Sequence, residues 1–195
     1  MRQINNWNDI KAVGEARELP VGGYVCKIMG AEVKTFDGKN GSFEQLHISI
    51  DVAEGEYKGF YAENYRAQNT EDKRWKGVVR LYLPVEDGSE KDGLTASILK
   101  GAIEAIEDSN SGYTWNWDEK TLKGKTVGCI LRNEQWAFNG RTGWKAQPFK
   151  LIAADKIRSG DFKIPKEKGL AGQSAPAATS APAGFEVVED DDLPF

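Results

Sequence analysis

Histidine occurs once and cysteine twice among the 195 residues of this chain, so the usual means of catalysis are scarce. His47 has no Cys or Ser partner placed by any motif. A lone histidine on the polar side of a strand is more often a hydrogen-bonding surface residue than a base. Cys26 and Cys129 stand far apart, each inside an apolar strand-like run. Without a C-x-x-C pair they read as buried free thiols in a reducing cytoplasm, not as zinc ligands or a redox couple. Asn40-Gly41-Ser42 matches a glycosylation triplet, but no secretory leader gives it meaning. Walker loop, dinucleotide fingerprint and H-E-x-x-H are all missing, so no cofactor or metal is expected. Hydrophobic residues are only 39% of the chain and charged residues 29%. Uncharged apolar runs fall far short of the ~20 residues a membrane span needs, and no charged-then-apolar leader opens the chain. A cytoplasmic, soluble protein is the expectation.

One thread of enzyme chemistry exists. Glu32-Val33-Lys34 on a strand, with a second carboxylate such as Asp51, could hold Mg²⁺ for phosphodiester cleavage. The E-x-K triplet is common by chance, and no Asp sits in the upstream strand. A solvated strand edge is the preferred reading, and the chain is expected not to be an enzyme.

Basic residues are absent altogether from residues 169–195, which carry five acids; all 26 Lys and Arg and 25 of the 30 acidic residues lie in 1–168. The overall charge of −4 is therefore a nearly neutral body of +1 followed by a concentrated negative end. Such asymmetry often marks an interaction tail. Of the 16 residues from Gly169 to Gly184, 13 are Gly, Ala, Ser or Pro and none is charged. That composition suits a flexible tether and cannot build a core. The chain thus divides into a body, 1–168, a linker, 169–184, and an acidic tip, 185–195.

Within the body, residues 1–20 read as a helical or irregular lead-in. Tyr24–Thr35 reads as a strand released by Gly22-Gly23, and Asp37-Gly38-Lys39-Asn40-Gly41 as a turn. Phe43–Val52 alternates strictly, with Leu46, Ile48, Ile50 and Val52 on one side and Phe43, Gln45, His47, Ser49 and Asp51 on the other. That is a half-buried antiparallel strand. Residues 57–77, with five aromatics among charges, suit a short strand or a helical excursion. Val78–Val85 is a further strand. Leu94–Asp108 places Leu94, Ile98, Leu99, Ala102, Ile103 and Ile106 on one helical stripe. Thr126–Phe138 and Trp144–Ala154 form a closing hairpin around Asn139-Gly140. Three strands, a helix and a hairpin is the order of an OB-fold, a small five-stranded barrel with its helix between strands three and four. A generic α+β sheet is the rival. The expected class is mostly β, an OB-like barrel with a disordered C-terminal tail.

Aromatic and basic residues interleave in three places. Trp136, Phe138, Arg141, Trp144 and Lys145 crowd the closing hairpin, and Lys73, Arg74, Trp75 and Lys76 are consecutive. Phe43 and His47 share an outward side, with Arg80 and Tyr82 opposite if those strands pair. Single-stranded nucleic acid is held by this combination, rings stacking on bases while cations neutralise phosphates. Taken singly, each aromatic reads as core. As a group at a Gly-rich turn, the hairpin rings have little protein to bury against, and in OB-folds that loop borders the binding groove.

The sequence closes on Glu189-Asp190-Asp191-Asp192-Leu193-Pro194-Phe195. An apolar plug, a fixed kink, a terminal carboxylate and a charge cluster suit a pocket ringed by Lys and Arg. The last six residues resemble the tip of bacterial single-stranded-DNA-binding proteins, acidic residues followed by Ile or Leu, Pro and Phe. The Gly/Ala/Ser/Pro stretch before them resembles the linker of that family. The resemblance implies an OB barrel and a tip, Asp190, Asp191, Asp192, Leu193, Pro194 and Phe195, that recruits replication, recombination and repair enzymes. The body departs from the bacterial pattern and is longer. It is similar to small proteins of bacteriophages and mobile elements of Gram-positive bacteria. The residues concerned are Ile106-Glu107-Asp108-Ser109-Asn110, Gly112-Tyr113, Trp115-Asn116-Trp117, Leu122-Lys123-Gly124-Lys125 and Ile157–Pro165. The expectation is a protein in a bacterial host cell that coats single-stranded DNA without strong sequence preference during phage or plasmid replication or recombination. An adaptor that docks on host replication proteins without binding DNA is the alternative, and a homo-oligomer is compatible with either.

Overall fold

The computed structural model describes residues 18–38 and 41–170. Most of the lead-in, two residues of the first turn, and the linker and tip from residue 171 onward lie outside the described residues. The elements are β1 (Gly23–Gly38), β2 (Gly41–Val52), α1 (Phe60–Ala67), β3 (Val78–Tyr82), α2 (Glu90–Asp108), a 3-10 turn at Glu119–Leu122, β4 (Thr126–Phe138), β5 (Arg141–Ile152) and α3 (Ala154–Ser159). The strands form one sheet in the order β3-β2-β1-β4-β5, every neighbouring pair antiparallel. The chain is therefore mostly β around a five-stranded antiparallel sheet.

The sheet does not close into a barrel. Its edges β3 and β5 run in the same direction, and Cα atoms of the two come within 8 Å of each other, yet no ladder joins them. β3 is too short to offer one. It ends at Tyr82, where Val85 was expected: Leu83 N–H still reaches the Glu44 carbonyl at 2.9 Å, and Pro84 then has no N–H to give. Among the described residues no helix is long and apolar enough to cross a membrane.

Leu46, Ile48, Ile50 and Val52 of β2 are buried with Val79 and Leu81 of β3, Cys26 and Ile28 of β1, and Val127, Cys129 and Leu131 of β4. Both cysteines are free and buried, and burial pushes the Cys129 thiol up to about 12, so both are inert at neutral pH. Helix α2 closes this core with its C-terminal half, through Ala102, Ala105 and Ile106, with Leu99 packed against it. Leu94 and Ile98, expected on the buried stripe, are exposed. The helix starts a turn earlier than its apolar pattern suggests because Ser89 caps it, accepting from the Asp92 N–H at 3.1 Å.

Asp51, expected on the solvent side of β2, is buried. One carboxylate oxygen accepts from the Val52 and Tyr61 amides, both at 2.9 Å, and the other from Ala62 at 3.3 Å. Helix α1 begins after Gly59, which supplies no capping side chain. Asp51 satisfies its orphan amides from the neighbouring strand and places negative charge at the positive helix end.

Ser109 and Asn110 at the end of α2 join that helix to β4 and α3. Asn110 donates to the Ile106 and Thr126 carbonyls at 2.7 Å and accepts from the Thr126 amide at 2.9 Å, fastening the end of α2 to the start of β4. Ser109 accepts from the Ala154 amide at 2.9 Å, adding α3 to the joint. Helix α3 then lies directly on glycines. A Cβ at Gly128 would meet Ile157 Cγ1 at 2.6 Å and the Ile152 carbonyl at 2.9 Å.

Candidate nucleic-acid interface

Alternation in β1, β2 and β3 sorts their side chains onto two faces, and the register says which share one. Phe36 pairs with Phe43, Lys34 with Gln45 and Glu32 with His47. Across the next ladder, Gln45 pairs with Tyr82 and His47 with Arg80. These residues stand opposite the buried Leu46, Ile48, Val79 and Leu81, on the outward face. The pairing on which that face depended is present, and it brings in Phe36, which sequence reasoning did not single out, and Lys34, which it had placed only in the nuclease thread. The palindromic spacing of Phe36 and Phe43 about the Gly38–Gly41 turn was the available signal.

The rings on this face touch in a row. Phe36 stacks on Phe43 with centroids 5.5 Å apart and planes 21° apart, and on His47 at 5.7 Å and 27°. Phe43 leans against Tyr82 at 5.5 Å. The row thus crosses three strands, from Phe36 through Phe43 to Tyr82. His47 Nε2 lies 3.0 Å from Gln45 Oε1. Desolvation, then the Arg80 and Lys34 charges, hold the imidazole below its usual pKa, so at neutral pH it is an uncharged ring. Arg80 is exposed, and Lys34 makes a 2.8 Å ion pair with Glu32. The arrangement offers flat apolar surfaces beside cations.

The closing hairpin does not gather its five residues into one cluster. Trp136 pairs with Gly143, Phe138 with Arg141 and Glu134 with Lys145, so these share one face, whereas Trp144 pairs with Gln135 on the other. The Trp136 indole lies over Gly143, where an added Cβ would come within 2.8 Å of Trp136 Cζ2. Glycine therefore makes room for the ring, which keeps 42% of its surface exposed beside Phe138 at 70%. Trp144 is half-buried. Different losses follow. If the exposed rings of this hairpin stack on the bases of a single strand, Trp136→Ala should weaken that binding by about 1–3 kcal/mol with a small change in melting temperature. Trp144→Ala should lower the melting temperature and leave binding nearly intact. Titration with a labelled oligonucleotide and thermal melting of both variants check this, and the reverse outcome would assign any binding to the Trp144 face.

The run 73–76 is divided as well. Gln68 holds the segment, accepting from the Arg74 amide and donating to the Arg74 carbonyl, each at 2.9 Å. Lys73 Nζ donates to the Arg66 carbonyl at 3.2 Å. Trp75 packs against the core and donates its indole N–H to the Ile50 carbonyl at 2.9 Å, which gives it a structural position. Lys76 is exposed at the entry to β3. Desolvation, then the Lys76 ammonium, lowers the pKa of Lys145 on β5.

The carboxylates of the nuclease thread do not converge. Asp51 holds backbone amides through both oxygens, Glu32 holds Lys34, and Glu32 pairs with His47, four residues along β2 from Asp51. That separation is about 13 Å at strand spacing, too far for one ion to bridge. No protein-family model and no curated protein matches this chain.

Proposed function

We propose that this protein binds single-stranded DNA across the outward face of β1–β3, with the β4–β5 hairpin as the second wall of the groove. The observation that carries the reading is the ring row Phe36–Phe43–Tyr82 beside the exposed Arg80. Packed rings at a solvated sheet face cost burial that a soluble domain ordinarily takes inside, and stacked bases would supply the missing cover.

Strand order supports an OB-like architecture for this domain. An OB-fold opened along its β3–β5 seam has the order found here, with the helix between strands three and four, and its nucleic-acid groove uses the strand 2–3 face and the loops after strands one and four. Here those loops are the tips of the β1–β2 and β4–β5 hairpins. On this reading the body does no chemistry, and the acidic tip recruits replication, recombination or repair enzymes of a bacterial host.

Fluorescence anisotropy with labelled single-stranded and duplex oligonucleotides over a salt series tests the reading. Single strands should bind more tightly, with log affinity falling against log salt at about −0.7 per phosphate neutralised. Equal binding to duplex, or none at low salt, would favour the adaptor that acts through its tip alone.

A further inference from the structure

Trp117 is the most exposed large apolar residue among those described, at 82%. It also has a left-handed backbone, φ 66°, a conformation that a bulky residue adopts only at a cost and only when its surroundings impose it. Those surroundings are well defined. The Trp115 amide donates to Glu107 at 2.7 Å, anchoring the loop to α2. Asn116 Oδ1 accepts from the Asp118 amide at 3.2 Å and from the Thr121 hydroxyl at 3.3 Å, and that hydroxyl lies 2.8 Å from the Tyr113 hydroxyl. Trp115 packs on the core and backs the Trp117 ring at 6.3 Å. A rigid loop therefore holds a tryptophan out into solvent, giving up both burial and backbone comfort.

The loop that follows carries charges of both signs, with Asp118 and Glu119 ahead of three lysines. Lys120 and Lys123 are exposed, and Lys125 sits over the Tyr113 ring with Nζ 4.3 Å from the centroid. The loop joins the sheet at β1: the Gly124 amide donates to the Ile28 carbonyl and the Ile28 amide to the Lys125 carbonyl, both at 2.8 Å. That junction lies at the β1 bulge, about 20 Å along the strand from Lys34.

We infer that Trp117 is a second stacking platform for a nucleobase of single-stranded DNA, with Lys120, Lys123 and Lys125 holding the adjoining phosphates. The strand would leave the β1–β3 face across β1 and reach this loop. The inference rests on the proposed DNA-binding reading and adds a site on the far side of β1 from the β2–β3 face. An exposed flat ring followed in the same loop by the exposed Lys120 and Lys123 suits a base and its phosphates.

Titration of the full chain with oligothymidylates stepped from about 4 to about 16 nucleotides, the range of OB-fold site sizes, tests the inference. Trp117→Ala should bind the shortest ligands like the unaltered protein and lose about 5- to 150-fold on the longest, the fold-change equivalent of about 1–3 kcal/mol per stacked base. Trp117→Phe should restore most of that loss, and neither variant should lower the melting temperature, because the side chain is exposed. Equal binding by Trp117→Ala at every length overturns the inference and leaves the DNA-binding reading standing. Failure of the unaltered protein to bind any oligothymidylate removes both.

Discussion

Replacing Phe43 and Tyr82 together with alanine should reduce affinity for single-stranded DNA by roughly 30- to 1,000-fold, about 2–4 kcal/mol, the largest loss expected from any pair on the sheet face. Each stacked base is worth about 1–3 kcal/mol, but these rings touch at 5.5 Å, so their losses will not simply add. Phe43 is central because it contacts Phe36 on one side and Tyr82 on the other. Its removal takes away one platform and one lateral contact from each of the other two rings. The fold should survive, since both side chains point away from the buried face of β2 and β3. Two aromatic contacts are lost, each worth about 0.5–1.5 kcal/mol of stability beyond area burial, so melting should fall while binding falls more steeply. Phe43→Leu separates the causes: it keeps an apolar side chain but not the flat ring, and should bind nearly as poorly as alanine. Unchanged DNA affinity in the double variant would reduce the ring row to cross-strand packing.

Much of this face was legible because β2 alternates without a break. Once Leu46, Ile48 and Ile50 point inward, Phe43, Gln45 and His47 must point outward, and pairing with β3 follows from a one-residue register choice. The same logic misplaced Asp51. Its outward position is correct for a strand, but helix α1 covers that end of the sheet and needs a carboxylate for its amides. That demand is tertiary and leaves no local trace. Trp144 shows the limit from the other side. Hairpin proximity put it with Trp136, whereas alternation alone sets them on opposite faces, because Trp136 pairs with Gly143 and Trp144 with Gln135. Trp75 followed composition into a basic run, yet its neighbours in space are Ile50 and Tyr65. Trp117 was visible as part of a motif, but its backbone strain and exposure exist only in three dimensions. Helix α3 went unread because Ala154–Ser159 is too short for a periodic pattern. It is held by the close approach of Ile157 to Gly23 and Gly128.

Removing residues 185–195 should abolish capture of replication partners while keeping or modestly raising affinity for single-stranded DNA. The deletion takes away five acidic side chains and no basic one, moving the formal charge from −4 to +1. A concentrated negative segment competes weakly with DNA phosphates for cations such as Arg80, Lys76 and Lys145, so any gain should be greatest at low salt and fade as screening shortens to about 8–10 Å. Partner capture depends on different chemistry: an apolar plug seated in a pocket with cations around it. Deleting Phe195 alone therefore discriminates between the two effects. It leaves every acidic side chain in place, so DNA binding should hardly change, yet the plug is gone and partner capture should fail as completely as in the longer deletion. Immobilised intact and shortened proteins, exposed to the same bacterial lysate and titrated in parallel with a labelled oligonucleotide, provide both measurements. If the shortened forms retain every protein that the intact chain retains, the acidic end serves solubility alone, and the likeness of its last six residues to single-stranded-DNA-binding proteins carries no recruitment. If Phe195 deletion spares capture while the longer deletion loses it, charge and not the plug makes the contact, and raising salt should then release the partners.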